Sequence, residues 1–426
     1  MPKINIVQRD FTTPAQTVNS ENIVLVPVWS WSINSKYETE NNPRLFRTLE
    51  DFKDITIGDS KGANYAKMIL HSGLPILLYG MSNGDEVPTD VPAGETTEAK
   101  DNAFYAKLAI MFNDGNMFSE LGNFDFKFIT SGGYSTFNVT SVDTGNSYDI
   151  DKLMLKTAAT RGDCVALIDY TGSYDAIEKV LSPTDTTSRY DSLTVTKVIN
   201  GKSVIVRCDS YGALIAGNGK YTFEGTTLEN IPSSFAYLSC LGNSIKTNPD
   251  HLAIAGVTRG KVLYGFEPNQ NDIITNKEAE EYQPKNGVRV NPITNIRPYG
   301  YCIWGNATLR NNNLNEDNSK ITGDDGLVAS SYLNIRNMTS TVQKAAYSAS
   351  KACMFEQNTD SLWVKFQNLL MPTLDSIKSN NGISNYKILK KQIPQSYKLS
   401  AIIKLYPIYA VDEIDIEIQL RDSEEI

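Results

Sequence analysis

The first 80 residues carry an apolar pattern that predicts a strand, a helix and a second strand in succession. Residues 23–29 form a continuous apolar run of strand length, which is typical of a strand covered on both faces. Pro27 within that run favours an edge position or a bulge, because proline cannot donate a hydrogen bond to the ladder. Residues 63–71 have helical spacing, residues 74–79 form another buried strand, and a further helical pattern covers residues 49–55. The order of these elements predicts an α/β layer.

The middle of the chain mixes short strand patterns with loops. Residues 81–102 are rich in Gly, Pro, Thr and acidic residues and predict a surface loop, whereas residues 124–140 alternate as a strand pair does. Residues 164–168 predict a short buried strand, followed by a helix at residues 174–181. Thr, Ser, Tyr and Val dominate residues 184–232, which predicts a β-rich insertion.

The last third of the chain has the clearest periodicity. Residues 340–343, with Ser first and Gln last, match a capping box and predict the start of a helix. A second helix is predicted from about Asp360 with one broad apolar face, and Pro372 is expected to kink it. Two strand patterns follow, at residues 397–408 and 414–420.

Both ends of the chain are patterned as extended segments. The first 20 residues offer neither a helix nor a hairpin turn, and Ile4 and Ile6 alternate with polar neighbours. Near the other end, apolar residues alternate with acidic and polar ones, so that the last strand has one apolar face. Its apolar positions are Ile414, Ile416, Ile418 and Leu420. This strand either completes the chain's own sheet or is donated to a neighbouring subunit, and the pattern leaves both interpretations open.

Composition and charge narrow the class of protein. The 426 residues are 41% hydrophobic and 21% charged, which is typical of a folded protein of two or three domains. The 40 basic and 49 acidic residues give a formal charge of −9, which argues against a surface that neutralises nucleic-acid phosphates. We expect no signal peptide and no membrane anchor, because no run approaches 18 apolar residues.

Candidate chemistry is sparse. The two histidines, His71 and His251, lie 180 positions apart with no Cys or His nearby, so we interpret both as structural residues. The five cysteines are scattered singly and are interpreted as reduced, mostly buried thiols. No metal site and no cofactor is predicted.

Two further segments resemble ligand loops only superficially. Residues 212–220 contain three glycines and a lysine, but their spacing does not match a phosphate loop, and a β-turn is favoured. Residues 311–326 include Glu316, Asp317, Asp324 and Asp325 without the spacing of a calcium loop, and predict a solvated loop. Since nothing else assembles an acid, a base and a nucleophile, an enzyme is disfavoured.

The last 180 residues contain six blocks in a fixed order: DHLAIAGVTRG (250–260), NGVRVNPI (286–293), GYCIWGNATL (300–309), YLNIR (332–336), FEQN (355–358) and LW (362–363). In this order the blocks resemble the successive blocks of the contractile-tail sheath proteins of bacteriophages. Fainter matches lie at the front, in residues 23–29, 49–58, 73–78 and 159–169, while residues 81–155 and 184–232 are unmatched. Many members of the family have Pro-Pro-Ser where this chain has residues 248–250, Asn-Pro-Asp.

The resemblance implies a multi-domain subunit with an α+β fold of mixed α/β layers, in which both chain ends form an inner domain, the intervening segment forms an inserted outer domain, and the termini are extended arms. The predicted division is an arm at residues 1–20, an outer α/β region at 21–255, a conserved inner domain at 256–410 and an arm at 411–426. The segment at 184–232 is the β-rich insertion of the outer region.

The resemblance also implies a structural role and a set of partners. Subunits of this family stack in rings of six around a tail tube, and the sheath contracts to drive the tube through a cell envelope for genome delivery. The implied partners are other copies of the chain, the tail tube protein, and baseplate and tail terminator proteins. The implied location is the tail of the virion, with assembly in the host cytoplasm.

In this family the long helix near the carboxyl end lies against the tube. The matching helix here begins near Asp360, and its polar residues Lys365, Asp375 and Lys378 are the predicted tube-facing side chains. Two alternatives remain. One is the sheath of a bacterial contractile injection device, and the other is a surface hydrolase that uses the acidic loop at residues 316–325.

Overall fold

The computed structural model shows a mixed α/β protein built around one large sheet. It describes residues 21–33, 36–37, 42–82, 97–134, 139–140, 147–170, 190, 193–199, 202–262, 265–269, 289–310, 328–391 and 398–411. The helices are α1 Ser60–His71, α2 Thr97–Met111, α3 Ile150–Arg161, α4 Ser233–Ser244, α5 Gly256–Arg259, α6 Leu333–Cys353 and α7 Asp360–Ser379. The strands are β1 Val24–Val28, β2 Trp31–Ile33, β3 Lys36–Tyr37, β4 Arg44–Phe46, β5 Ile55–Ile57, β6 Ile76–Gly80, β7 Phe128–Ile129, β8 Val139–Thr140, β9 Ser147–Tyr148, β10 Val165–Tyr170, β11 Thr194–Ile199, β12 Lys202–Arg207, β13 Gly212–Ala216, β14 Gly219–Phe223, β15 Thr226–Ile231, β16 Phe266–Pro268, β17 Val290–Ile296, β18 Gly300–Ile303, β19 Ile383–Lys390 and β20 Ala401–Pro407. This composition confirms the predicted α+β class.

The large sheet has eight strands in the order β18-β17-β13-β10-β7-β1-β6-β4. Its inner pairs are parallel, and only the outermost pairs, β17 with β18 and β4 with β6, are antiparallel. Successive residues of β1 alternate between two apolar clusters: Val24 and Val26 pack beneath α1 and α4, and Leu25 packs beneath α2 and α3. A sheet covered on both faces needs apolar residues at every position. The predicted strands at residues 23–29, 74–79 and 164–168 are therefore confirmed.

Pro27 does not mark an edge strand, because β1 lies in the middle of the sheet. The carbonyl of Leu25 accepts a hydrogen bond from the Thr130 amide, so odd-numbered residues of β1 face β7. However, β7 ends at Ile129, and beyond it the chain turns at Gly132, whose φ is +71° and whose missing Cβ would lie 2.0 Å from the Pro27 carbonyl oxygen. The Pro27 nitrogen, which carries no hydrogen, therefore faces a turn rather than a paired strand, and no hydrogen bond between strands is lost there.

The prediction of a helix at residues 49–55 is wrong. The segment forms consecutive turns that lead into β5. The Thr48 amide donates to an Asp51 carboxylate oxygen and the Asp51 amide donates to the Thr48 hydroxyl, both at 3.2 Å. Such local side-chain bonds give the backbone an alternative to the helix ladder.

The carboxyl-terminal unit, residues 333–411, packs α6 and α7 against each other and against the hairpin of β19 and β20. Thr359 caps α7 by accepting a hydrogen bond from the Leu362 amide, and the helix starts at Asp360 as predicted. Pro372 lies inside α7. The strand predicted at residues 397–408 is confirmed as β20, whereas the sequence analysis missed its partner β19.

The start predicted for the preceding helix is also wrong, because α6 begins at Leu333 and already includes Ser340. The Ser340 hydroxyl donates to the Arg336 carbonyl at 3.0 Å, which is a bond inside the helix rather than a cap. In the first turn of α6, which begins at Leu333, a backbone N–H group finds its acceptor in a distant residue: Asn306 Oδ1 accepts from the Asn334 amide at 3.1 Å. A cap from another part of the chain leaves no local sequence signature.

The large sheet includes strands from both sides of residue 255. β17 and β18 join the strands that precede that point, and β13, from the segment predicted as an insertion, pairs with β10 and β17. The domain division predicted from the sequence stays a prediction. The helix at residues 174–181, the loop at residues 311–326 and the arms at residues 1–20 and 412–426 lie outside the described residues.

Candidate assembly surface

A buried polar network fixes the carboxyl-terminal unit to the large sheet. The Lys127 side chain has 0% exposure, and its Nζ donates to Asp250 Oδ2 at 2.7 Å and to the Thr341 hydroxyl of α6 at 3.0 Å. Lys344 of α6 donates to the Phe126 carbonyl at 2.8 Å and pairs with Asp125. Burial lowers the pKa of Lys127. Burial also acts to raise the pKa of the Asp250 carboxyl, but the charge and the hydrogen bond of Lys127, together with weaker contributions that include His251, lower that pKa below its ordinary value. The network therefore links α6 to the segment that leads into β7 through buried polar contacts.

The three predicted tube-facing residues all have partners within the carboxyl-terminal unit. Asp375 accepts from the Tyr386 hydroxyl at 2.6 Å, and Lys378 lies 3.5 Å from Asn385 Oδ1, so both contact β19. Lys365 lies more than two turns away along α7 and pairs with Glu356 at 2.9 Å, in the turn that precedes the helix. The structure thus brings Asp375 and Lys378 together but separates Lys365 from them.

α7 carries partly exposed apolar residues beside its buried side. Val364 and Met371, seven positions apart, lie along one flank of the helix and Leu369 lies on the other flank, whereas Leu370 and Leu374 are fully buried. Exposed apolar residues can contribute to an interaction site. α7 therefore offers both charged and apolar contacts to a partner.

The β19–β20 hairpin has two open edges, because no other strand of the described chain pairs with either of its strands. An isolated two-stranded sheet is marginal in water, and an open edge is a template for another strand. The hairpin's inner face, including Ile388 and Ile403, packs on the α7 cluster.

The outer face of the hairpin combines positive charge with apolar surface. Lys387 lies directly opposite Lys404, and exposed Leu389 lies directly opposite exposed Ile402. Two like charges facing each other across strands repel, unless opposite charges lie beside them. This face is suited to an acidic and apolar partner.

Charge is distributed unevenly along the chain. The carboxyl-terminal unit carries ten basic and three acidic residues in a protein whose total is 40 basic and 49 acidic. By contrast, residues 412–426 carry seven acidic residues and one basic residue. The predicted donor residues Ile4, Ile6, Ile414, Ile416, Ile418 and Leu420 lie outside the described residues.

The carboxyl edge of the parallel sheet, where α/β proteins bind small ligands, uses its carboxylates as helix caps. Asp59 accepts from the amides of Trp29 and Gly62, both at 2.8 Å, and so caps α1. Asp169 accepts from the Ser234 amide at 2.6 Å in the first turn of α4. These contacts account for both side chains structurally.

The remaining candidate chemistry is also structural. The His251 ring nitrogen Nε2 lies 3.0 Å from the Asn380 carbonyl, and His71 packs edge-on against Phe223. All five cysteines are unbridged and buried, as predicted. Residues 212–216 and 219–223 form the strands β13 and β14, and residues 217–218 only connect them, so this segment is mainly strand rather than the β-turn expected there. Among the described residues no group of His, Cys, Asp or Glu could hold a metal ion, and no described helix is long and apolar enough to span a bilayer.

Asp169 gives a pH-dependent prediction. Burial raises the pKa of Asp169 to about 7 from an ordinary value of 3.8. Between about pH 4 and pH 7 the folded state therefore holds a proton that the unfolded state has lost, and the free energy of unfolding falls as the pH rises. We expect Asp169→Asn to flatten this dependence in urea unfolding at pH 4.5 and pH 7, and exposed Asp114→Asn to leave it unchanged. An equal slope for Asp169→Asn and the original chain would contradict the assignment.

No protein-family model and no curated protein sequence matches the chain significantly. Solved structures match along its entire length. A chain of the anti-feeding prophage baseplate has a TM-score of 0.58 and 14% identity, and the match covers 99% of both chains. A chain of the sheath complex of an extracellular contractile injection system, PVC, in the contracted state has a TM-score of 0.58 and 14% identity, covering 99% of this chain and 98% of that one. A chain of the contracted anti-feeding prophage helical sheath has a TM-score of 0.55 and 14% identity, with 98% of both chains covered. The chain therefore has, over almost its whole length, the fold of contractile sheath chains, in agreement with the resemblance read from its sequence blocks.

Proposed function

We propose that this protein is a structural subunit of a contractile sheath. The observation that carries the proposal is the fold likeness to sheath chains. It extends over 98–99% of this chain and 98% of each matched chain, rather than over one shared domain. A structural role also fits the candidate chemistry, because Asp59 and Asp169 bind amides at the starts of helices and buried His251 contacts the Asn380 carbonyl.

Strand donation is the proposed linkage between subunits. The open edges of the β19–β20 hairpin accept the terminal strands of neighbouring subunits, through Ile4 and Ile6 of one arm and residues 414–420 of the other. Main-chain hydrogen bonds of this kind persist while subunits rotate, so the sheath stays connected during contraction.

The two faces of residues 414–420 match the two faces of the hairpin. With its isoleucines inward, an added strand extends the apolar surface that Ile388 and Ile403 place on α7. Its acidic residues, including Asp415 and Glu417, then lie on the outer face beside lysines. Each edge strand supplies one of these lysines, Lys387 on β19 and Lys404 on β20, so either edge can accept the segment.

Charge reversal on the hairpin tests this pairing. Lys387→Glu with Lys404→Glu places acidic residues beside an acidic segment, so we expect assembly to require a concentration at least about tenfold higher, since each charge pair contributes up to about 1 kcal/mol. The control is Lys53→Glu with Lys246→Glu, which changes the net charge equally at exposed positions elsewhere. Sedimentation velocity measures assembly, and equal assembly of the two variants would contradict the pairing.

The larger architecture is proposed from the family resemblance. Rings of six subunits stack around an inner tube, α7 faces the tube through Lys365, Asp375, Lys378 and exposed apolar residues, and baseplate and terminator proteins close the ends. The extended sheath is metastable, and contraction buries additional surface between subunits, which releases the free energy that drives the tube. The excess of lysine in the carboxyl-terminal unit favours an acidic tube surface.

Two settings fit this role. In a phage tail, the sheath delivers a genome from a virion, and in an injection device it delivers other cargo from an extracellular particle. The injection device gains support from the matched structures, which come from an anti-feeding prophage and an extracellular contractile injection system.

Electron microscopy of the purified full-length protein tests the proposed function. We expect rings or cross-striated tubes at high protein concentration, because a sheath subunit self-associates through repeated identical contacts. A protein that stays monomeric under conditions that assemble known sheaths would contradict the proposal.

A further inference from the structure

The turn between α6 and α7 exposes an apolar residue in an unfavourable backbone conformation. Phe355 is 102% exposed, and its φ is +63°. It follows the end of α6 at the position where helices usually carry glycine or asparagine, because a side chain there is strained. The preceding residue, Met354, is 60% exposed. Neither the strain nor the exposure stabilises the isolated subunit, so both point to a contact outside it.

A cleft of about 390 Å³ lies at the other end of α6. Its walls include the small residues Ala253, Ala255 and Gly256 and the half-buried ring of Trp304. Asn306 also lines it and bonds to Asn334 in the first turn of α6, at 2.8 Å between the two side chains. Small residues beside an aromatic ring form the kind of pocket in which an aromatic side chain packs well.

The exposed side chain of Phe355, called the knob below, is separated from the Trp304 cleft by the full length of α6. A helix of 21 residues is about 30 Å long at about 1.5 Å per residue, so Phe355 cannot reach the cleft of its own chain. A knob and a pocket at different places on one surface form a head-to-tail contact, which repeats from copy to copy and builds rings or helical arrays.

We propose that Phe355 of one subunit inserts into the Trp304 cleft of the next subunit in the assembly. The partner is a second copy of this chain, and this choice rests on the proposed sheath function. Charge supports the pairing: Glu356 follows the knob, and Arg259 lines the cleft. Arg259 uses its Nε to bind the Ala253 carbonyl at 2.8 Å, and a guanidinium has further donors with which to meet a carboxylate.

A disulfide trap in the full-length protein tests this contact. Met354→Cys places a thiol beside the knob, and Val411→Cys places one at the rim of the cleft, where Val411 is exposed. Four native cysteines are buried at distant positions, and the trap is built in a Cys353→Ala background because Cys353 adjoins position 354. Mild oxidation of the double variant should give a ladder of dimers, trimers and longer products on a non-reducing gel, whereas neither single variant should give a ladder.

Two further variants separate the knob from general adhesion. Adding Phe355→Ser to the double variant should reduce the laddered fraction at least about tenfold, because a buried aromatic anchor carries much of the energy of an interface. Adding Ile205→Ser, at an exposed apolar position on β12, should leave the ladder intact.

The outcomes distinguish the contact from the function. Tubes without a ladder, or a ladder that persists with Phe355→Ser, would overturn the Phe355 contact while leaving the sheath proposal standing. If deletion of residues 412–426 is needed before a ladder forms, the cleft belongs to the chain's own terminal segment, and the contact is also overturned. A monomer with neither tubes nor a ladder would overturn both proposals.

Discussion

Deletion of residues 412–426 is expected to leave a folded monomer that no longer forms tubes. The segment carries the alternating strand of Ile414 to Leu420, and the described residues of the three apolar clusters all remain in the shortened chain. Its loss therefore removes the proposed donated strand and keeps those clusters. Electron microscopy should show no tubes, while circular dichroism and the melting temperature should stay close to those of the full chain.

A shorter deletion supplies the matched control. Removing residues 421–426 eliminates three acidic residues and the one basic residue of the segment but keeps the complete apolar alternation. This variant should still assemble, because the main-chain bonds and the apolar face remain. Tubes formed by the longer deletion would contradict strand donation by this end.

Lys127→Ala is expected to destabilise the fold by about 3–5 kcal/mol, the range for breaking a buried ion pair from one side. Asp250 keeps its charge without its partner, and Thr341 of α6 loses the bond that ties the helix to the sheet. Since a whole domain is stable by only about 5–15 kcal/mol, the loss should be evident in urea unfolding. The carboxyl-terminal unit should become more protease-sensitive.

Two control variants identify the cause of that loss. Lys365→Ala removes a lysine from an exposed pair and should leave the unfolding midpoint nearly unchanged. Lys127→Met combined with Asp250→Ala removes both charges and should recover much of the stability lost by Lys127→Ala alone. A Lys127→Ala variant as stable as the original chain would contradict this prediction and show that the buried pair contributes little to stability.

Three strands of the large sheet, β1, β6 and β10, were predictable because each is a short, continuous apolar run. Residues 23–29 and 164–168 lie between two helical layers, and burial on both faces dictates their composition directly. Strand β19 was missed for the opposite reason. It is half exposed, and a register irregularity between Ile383 and Asn385 interrupts its alternation, so no period of two remains to be read.

The assembly surface could be predicted only in part. The alternation at residues 414–420 is local and visible in the sequence, and so is the polar face of α7. The opposition of Lys387 and Lys404 depends on the pairing register of two strands that are separated along the chain. The Trp304 cleft depends on contacts among three distant segments, and no local pattern encodes such a shape.

A cryo-electron microscopy reconstruction of tubes assembled from the full-length protein tests the central claim most directly. Strand donation between subunits predicts a sheet of more than two strands at the β19–β20 hairpin. The density of the added strand should trace to residues 412–426 or 1–20 of a neighbouring subunit. Density in which both terminal segments return to their own subunit, leaving the hairpin edges unoccupied, would contradict it.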